Sequence, residues 1–157
     1  METTFVEIED RVRKHSIPEV NERIDNEIQA SVRKYTNRSK REIDAKIQQL
    51  EKEWSIERAL DFSASSLAMT GIALGIFKNK GWLALTGAVS GFLMMHSLQG
   101  WCPPVPVLRA MGFRTRKEID WEKYALKVLK GDFDIIDPAD NSDPDIRAYK
   151  ALTAVQI

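Results

Sequence analysis

From Phe62 to Phe77 the chain carries no charged residue, and from Gly81 to Leu98 its only ionisable side chain is His96. Only Lys78, Asn79 and Lys80 separate the two runs. On either side the pattern changes, and apolar residues recur about once per helical turn in a charged background. Two segments apolar on every face, flanked by amphipathic periodicity, predict an all-α protein built around a helical hairpin.

The hairpin is expected over residues 54–101, with helices at about 56–77 and 81–101. Phe62 to Phe77 is 16 residues, about 24 Å as a helix against a bilayer core of about 30 Å. Ile56 to Asp61 completes a span if Glu57, Arg58 and Asp61 sit at headgroup level, with Ser55 as N-cap and Arg58 snorkelling. Gly81 to Trp101 is 21 residues, about 31 Å. Trp82 and Trp101 bracket it as interfacial aromatics do, and Trp54 holds the same place before the first span. The remainder of the chain has no broad apolar face to cover such helices, so lipid is their expected solvent.

Both spans carry small residues at helical spacing. Gly71 and Gly75 form one GxxxG; Gly87 and Gly91, flanked by Ala84 and Ala88, form another. Helices in lipid gain mainly from close backbone packing at such stripes. The two stripes either pack on each other inside one hairpin or leave one to mediate oligomerisation.

Residues 1–53 read as a cytoplasmic, charged, amphipathic helical region. Ser16-Ile17-Pro18-Glu19 looks like a helix start with Ser16 at N-cap, followed by Val20, Ile24, Ile28, Val32 and Tyr35. A polar gap and a second capping box, Ser39 to Glu42, predict a break before Ile43, Ile47, Leu50 and Trp54. A further short helix is expected over 4–14 through Phe5, Ile8 and Val12. One apolar residue per turn buries little, so these helices need another copy, a second protein or the headgroup region as partner.

Residues 102–131 form a juxtamembrane Pro-rich turn and a basic helix. Pro103, Pro104 and Pro106 end the second span. The box Thr115 to Glu118 opens a helix from about Arg116 to Lys130, with Gly131 as C-cap. Ile119, Ala125, Val128 and Leu129 are expected along one side. Arg114 to Lys130 holds six basic and three acidic residues. That charge, with Trp121 and Tyr124, suits either an anionic leaflet or packing on the amino-terminal helices. Residues 132–157 form an acidic tail, with six Asp and two Pro between Asp132 and Asp145, expected to be disordered.

Charge changes this picture only through its placement. Lys and Arg total 23 and so do Asp and Glu, which gives no bulk attraction to nucleic acid. Lys40, Arg41, Lys46, Lys52 and Arg58 precede the first span, and Arg109, Arg114, Arg116 and Lys117 follow the second, against two lysines in the loop. That excess places both termini in the cytoplasm, with Arg109 and Arg114 at the membrane interface. The amino terminus has no apolar core, so no cleavable signal peptide is expected.

Candidate chemistry is sparse. Cys102 is the only cysteine, which excludes an internal disulfide and a cysteine-based zinc site. Its one claim to reactivity is the nearness in sequence of Arg109, Arg114 and His96. No metal, cofactor or phosphate-binding loop is expected, and no catalytic residue beyond Cys102 as a weak candidate.

The hairpin followed by GWCPPVPVLRAMGFRTRKEID and WEKYALKVLKGDF resembles the YgaP-type inner-membrane transmembrane domain of bacteria, over about residues 54–133. The Gly-Trp-Cys-Pro-Pro junction is the most specific part. The resemblance implies a multi-pass protein of the bacterial inner membrane. In the namesake architecture the hairpin is joined to a rhodanese domain, whose cysteine carries sulfur as a persulfide. This chain departs from that plan: its first 53 residues contain no cysteine. The expectation is a non-enzymatic membrane anchor or scaffold that self-associates or docks a membrane or cytoplasmic partner. The alternatives are redox or sulfur handling at Cys102, and an oligomeric small-solute channel lined by Ser63, Ser66, Thr70, Thr86, Ser90 or His96.

Overall fold

The computed structural model describes residues 10–134 and 143–156, and every element in them is helical. In chain order these are α1 (Arg11–Lys14), α2 (Pro18–Tyr35), α3 (Lys40–Lys52), α4 (Ile56–Phe77), a 3-10 turn (Lys80–Trp82), α5 (Leu83–Gln99), α6 (Val105–Ala110), α7 (Arg116–Lys130) and α8 (Pro144–Gln156). They fall into two compact units. One takes in the chain up to Asn26 together with Trp54–Ile119; the other takes in Glu27–Glu53 together with the chain from Asp120 onward.

In the first unit, α4, and α5 taken with the 3-10 turn that leads into it (Lys80–Gln99), are each long and apolar enough to cross a membrane. They run antiparallel: Gly71 lies against Thr86 and Gly75 against Leu83. Asn79 turns the chain between them by accepting from the Gly81 N–H at 2.8 Å. Their opposite end is closed by a small core of Val12, Ile56, Leu60, Cys102 and Val105, with Leu108 and Phe113 packed on it. The Ile56 N–H donates to the Arg114 carbonyl at 2.9 Å, tying the start of α4 to the segment before α7. Gly100 ends α5 in the left-handed region at φ 75°. A side chain there would also collide with Arg11, whose guanidinium donates to the Ser97 and Leu98 carbonyls at 3.1 and 3.3 Å. A cation on the last carbonyls of a helix is favourable, since their partial charges are negative and unpaired.

In the second unit the later half of α2, all of α3 and the later half of α7 bury Ile28, Ile43, Ile47, Leu50 and Leu126. Buried Glu122 accepts from Ser31 and lies 3.6 Å from the Lys46 ammonium, while Lys130 meets Asp44 at 2.6 Å. The narrow stripes of α2 and α3 therefore find cover within the chain.

Several expectations change. Ser16 does not cap α2; its hydroxyl donates back to the Val12 carbonyl at 2.7 Å, and the Ile17 carbonyl accepts the first helical amide instead. Pro106 does not exclude a helix, because α6 places it in the first turn, where an amide has no acceptor to lose. The buried face of α7 is Glu118, Ile119, Glu122 and Leu126, while Val128 and Leu129 are exposed. The carboxy-terminal tail is not wholly without structure, since Pro144–Gln156 is helical. Asp143 accepts from the Asp145 N–H at 2.9 Å, and no acidic residue follows Asp145 to oppose a helix. Phe5 and Ile8 of the helix expected over 4–14, and residues 135–142 of the tail, lie outside the described residues.

Candidate functional site at the charged end of the hairpin

The two small-residue stripes have different fates. Gly71 and Gly75 are buried in the α4–α5 seam, and a methyl group on Gly71 would sit 2.6 Å from the Thr86 hydroxyl and 3.2 Å from the Trp82 carbonyl. Thr86 donates to the Ala68 carbonyl across the seam at 3.1 Å. Gly87 and Gly91 have nothing within 4 Å of an added methyl group. Ser63, Ser66 and Thr70 donate to carbonyls of their own helix at 2.6, 2.8 and 2.8 Å. At the charged end of α4, Arg58 stacks over Trp54 at 4.8 Å, and Trp54 meets Phe62 edge-on.

Cys102 is buried beside Val12, Ile56, Leu60 and Val105. On its hairpin side lies an apolar cleft of about 90 Å³, lined by Leu67, Phe92 and Pro104 among others. Burial pushes the thiol up from its ordinary value, which disfavours the reactive thiolate. The arginines that could have activated it are engaged elsewhere.

Arg109 is directed into protein, 1% exposed, rather than toward a membrane surface. It grips Glu118 with two bonds of 2.6 and 2.9 Å, and it also donates to Asn21 at 2.6 Å. Arg13 donates to the same carboxylate at 2.7 Å and pairs with Asp25 through two bonds of 2.8 Å. Glu118 also completes the expected capping box: it accepts from the Thr115 N–H at 2.8 Å, and the Thr115 hydroxyl accepts from the Glu118 N–H at 3.3 Å. One buried carboxylate thus ties α1, α6 and the start of α7 together, and Asn21 and Asp25 bring in α2. Arg114, likewise expected at the interface, is also buried.

Burial alone would raise the Glu118 carboxyl. The hydrogen bonds from Arg109 and the Thr115 N–H, with the Arg109 charge, outweigh it and hold the group below its ordinary value of 4.5. A carboxylate whose pKa is lowered by folding adds stability above its unfolded value, and that contribution is lost as pH falls through the folded value. Near-UV circular dichroism of the detergent-solubilised chain should therefore show tertiary structure weakening below pH of about 4.5. Glu118→Gln should make the acid dependence shallower by up to about one proton.

Beside this lock, and within the same unit, is an open vestibule of about 760 Å³. Its walls include Arg11 and Lys14 of α1, Glu57 and Asp61 of α4, His96 of α5 and Lys117 of α7. The Glu57 carboxylate accepts from the Arg116 N–H at 3.1 Å, which fixes it on the rim. The Nδ1 of His96 is buried with no hydrogen-bond partner among the described residues.

Comparison of the chain with protein-family models, curated proteins and solved structures gives no match. Among the described residues no group of three or more His, Cys, Asp or Glu could hold a metal ion. Of the residues singled out from sequence, Trp54 and Arg58 come together, and Gly71 and Gly75 join α4 to α5. Trp82 and Trp101 are partly exposed at opposite ends of α5, while in the second unit Tyr124 lies under the ammonium groups of Lys123 and Lys127 and Trp121 is half-buried. Sequence reasoning missed Asn21 as a partner of Arg109, Arg13 as a partner of Glu118, and Asp25 as a partner of Arg13. The only available signal was that Glu118 closes a capping box, which marked it as fixed but not as buried.

Proposed function

We propose that this chain is a non-enzymatic membrane anchor of the YgaP-type class. Its hairpin α4–α5 crosses a bacterial inner membrane with both termini in the cytoplasm, and it holds a helical module there for docking a partner or a second copy. The observation that carries the reading is the apolar surface of the hairpin, left bare by the rest of the described chain. Met69 is 72% exposed, Ile76 71%, Met94 67% and Leu98 65%. Four such side chains on two adjoining helices are an exposed apolar surface of the kind that marks a membrane or partner contact. Helices of about 33 and 25 Å, lengthened by the 3-10 turn, match a core of about 30 Å. The orientation rests on the basic residues that flank both spans at their charged ends. Self-association is supported by the Gly87–Gly91 stripe, which the hairpin leaves open. Burial of Cys102 argues against a redox or sulfur-transfer role.

The test is alkaline extraction of membranes together with topology labelling. The chain should remain in the pellet. A thiol introduced as Asn79→Cys in a Cys102→Ser background should react with an impermeant maleimide from outside intact spheroplasts. Release into the supernatant, or labelling only after permeabilisation, would refute the anchor or its orientation respectively.

A further inference from the structure

We propose that α6 is an interfacial helix whose outward face beds in the acyl layer of the leaflet at the charged end of the hairpin. The inference rests on the membrane reading and adds a third membrane contact to the two spans.

The polarity of α6 is inverted. Val105 and Arg109, one turn apart, are 0% and 1% exposed and face the protein. Val107 and Met111 each lie two positions on, about 200° round the helix, and are 60% and 69% exposed. Pro103, Pro104, Pro106 and Ala110 are exposed as well. The outward face therefore holds no polar side chain, while the one charged residue of the helix turns inward to Glu118. A helix on an aqueous surface has the opposite arrangement. The pattern reaches beyond α6. Arg109 and Arg114 are both buried, so after Lys80 the next exposed Lys, Arg, Asp or Glu is Arg116. The chain brings no such charge to its surface again until α7 begins.

Depth agrees with this placement. Val105 packs with Ile56 and Leu60 in the first two turns of α4. Those residues lie two and six positions beyond Trp54, about 3–9 Å inward from that interfacial aromatic. Helices lying in an interface bury their apolar face about 5–10 Å into the boundary between headgroups and acyl chains. Pro104, which precedes α6, lines the cleft beside Cys102 together with Leu67 and Phe92, themselves 49% and 46% exposed on the hairpin. The outward face of α6 is thus continuous with the bare apolar surface of the hairpin.

Lipid is the occupant that fits. A stable protein interface takes about 20–30 residues a side, and this face offers six. Hydrocarbon requires neither that area nor a polar rim, but it does penalise unpaired backbone amides. The start of α6 has no capping side chain. It needs none at positions 103–106, since Pro103, Pro104 and Pro106 carry no N–H and the Val105 N–H donates to the Cys102 carbonyl at 2.9 Å.

The test is nitroxide labelling at Val107→Cys and Met111→Cys in a Cys102→Ser background. The full chain is reconstituted in vesicles of phosphatidylethanolamine and phosphatidylglycerol. Collision of each label with oxygen, which enters hydrocarbon, is compared with collision with an aqueous nickel chelate. Met94→Cys on the hairpin is the hydrocarbon reference, and exposed Glu22→Cys on α2 is the aqueous one. The oxygen-to-nickel ratio at both α6 positions should lie within about threefold of the Met94→Cys value and about tenfold above that of Glu22→Cys. A ratio at the Glu22→Cys level places the face in water and overturns the proposal. Protection from both reagents means that protein covers the face, which also overturns it; spin–spin broadening lost on dilution with unlabelled chain would identify that protein as a second copy. In the unmodified chain, a diazirine on a phospholipid acyl chain should insert into peptides covering Val107 and Met111. Insertion confined to peptides of α4 and α5 would count against the proposal without any substitution. A Met94→Cys label that reads as aqueous refutes the membrane reading itself, an outcome separate from these.

Discussion

Arg109→Met should speed the reaction of Cys102 with maleimide by roughly two to three orders of magnitude in the detergent-solubilised chain. Cys102 sits in the same small core as Val105 and Leu108 of α6, so its labelling reads the opening of the packing that Arg109 secures. Removing one partner of a buried ion pair costs about 3–5 kcal/mol, because the other is left in a medium that cannot solvate it. Here the abandoned group is Glu118, fully buried, with Arg13 as its remaining cation. Glu118→Gln should act in the same direction, leaving Arg109 buried against a neutral amide. The double variant Arg109→Met, Glu118→Leu should recover part of the loss, since replacing both charges avoids the stranded one. It should not recover all of it, because Thr115 loses its capping partner and Arg13 one of its two carboxylates. A labelling rate within about threefold of wild type in the single variants would show that the network contributes little to the fold.

Gly71→Leu should open the hairpin seam, whereas Gly87→Leu should leave it closed. The Gly71 position meets both the Thr86 hydroxyl and backbone atoms of Thr86 and Trp82. A side chain there must push two helices apart, and overpacking of this kind costs about 1–3 kcal/mol or more. At Gly87 nothing lies within 4 Å. Disulfide trapping between Ala68→Cys and Thr86→Cys in a Cys102→Ser background reads the seam directly. Efficient trapping should persist with Gly87→Leu and collapse with Gly71→Leu. If the open stripe is where two copies meet, Gly87→Leu should also lower the dimer fraction seen by crosslinking in native membranes. Equal trapping in both variants would mean that the hairpin does not pack through Gly71.

The local signals were readable because each depends on neighbours in sequence. The bounds of α4 follow from Ser55 as a cap and Lys78 as the first charge after the apolar run. The break between α2 and α3 follows from the Ser39–Glu42 capping box, which the structure forms in full. The start of α7 follows from Thr115, and its end from Gly131, which takes φ 87°. Arg109 was the clearest failure. An arginine after a membrane-length apolar run fits the interface by charge counting, and nothing local distinguishes one that snorkels from one that turns inward. Its partner Asn21 lies 88 residues away, and Arg13, which shares the Glu118 carboxylate with it, is 105 residues from Glu118.

The sequence by itself determined the helical character of this protein, the extent of its two apolar spans and the capping residues that start and stop the charged helices. These are set by solvation of the residues themselves and by hydrogen bonds reaching three or four positions along the chain. Only the tertiary structure decided which glycine stripe closes the hairpin, that Glu118 is the buried hub of a charged lock, and that Asp61 and His96 share a cavity with Arg11 and Lys117. Those outcomes depend on pairings between helices far apart in sequence, where the cost of burying a charge is met by partners that no local pattern announces.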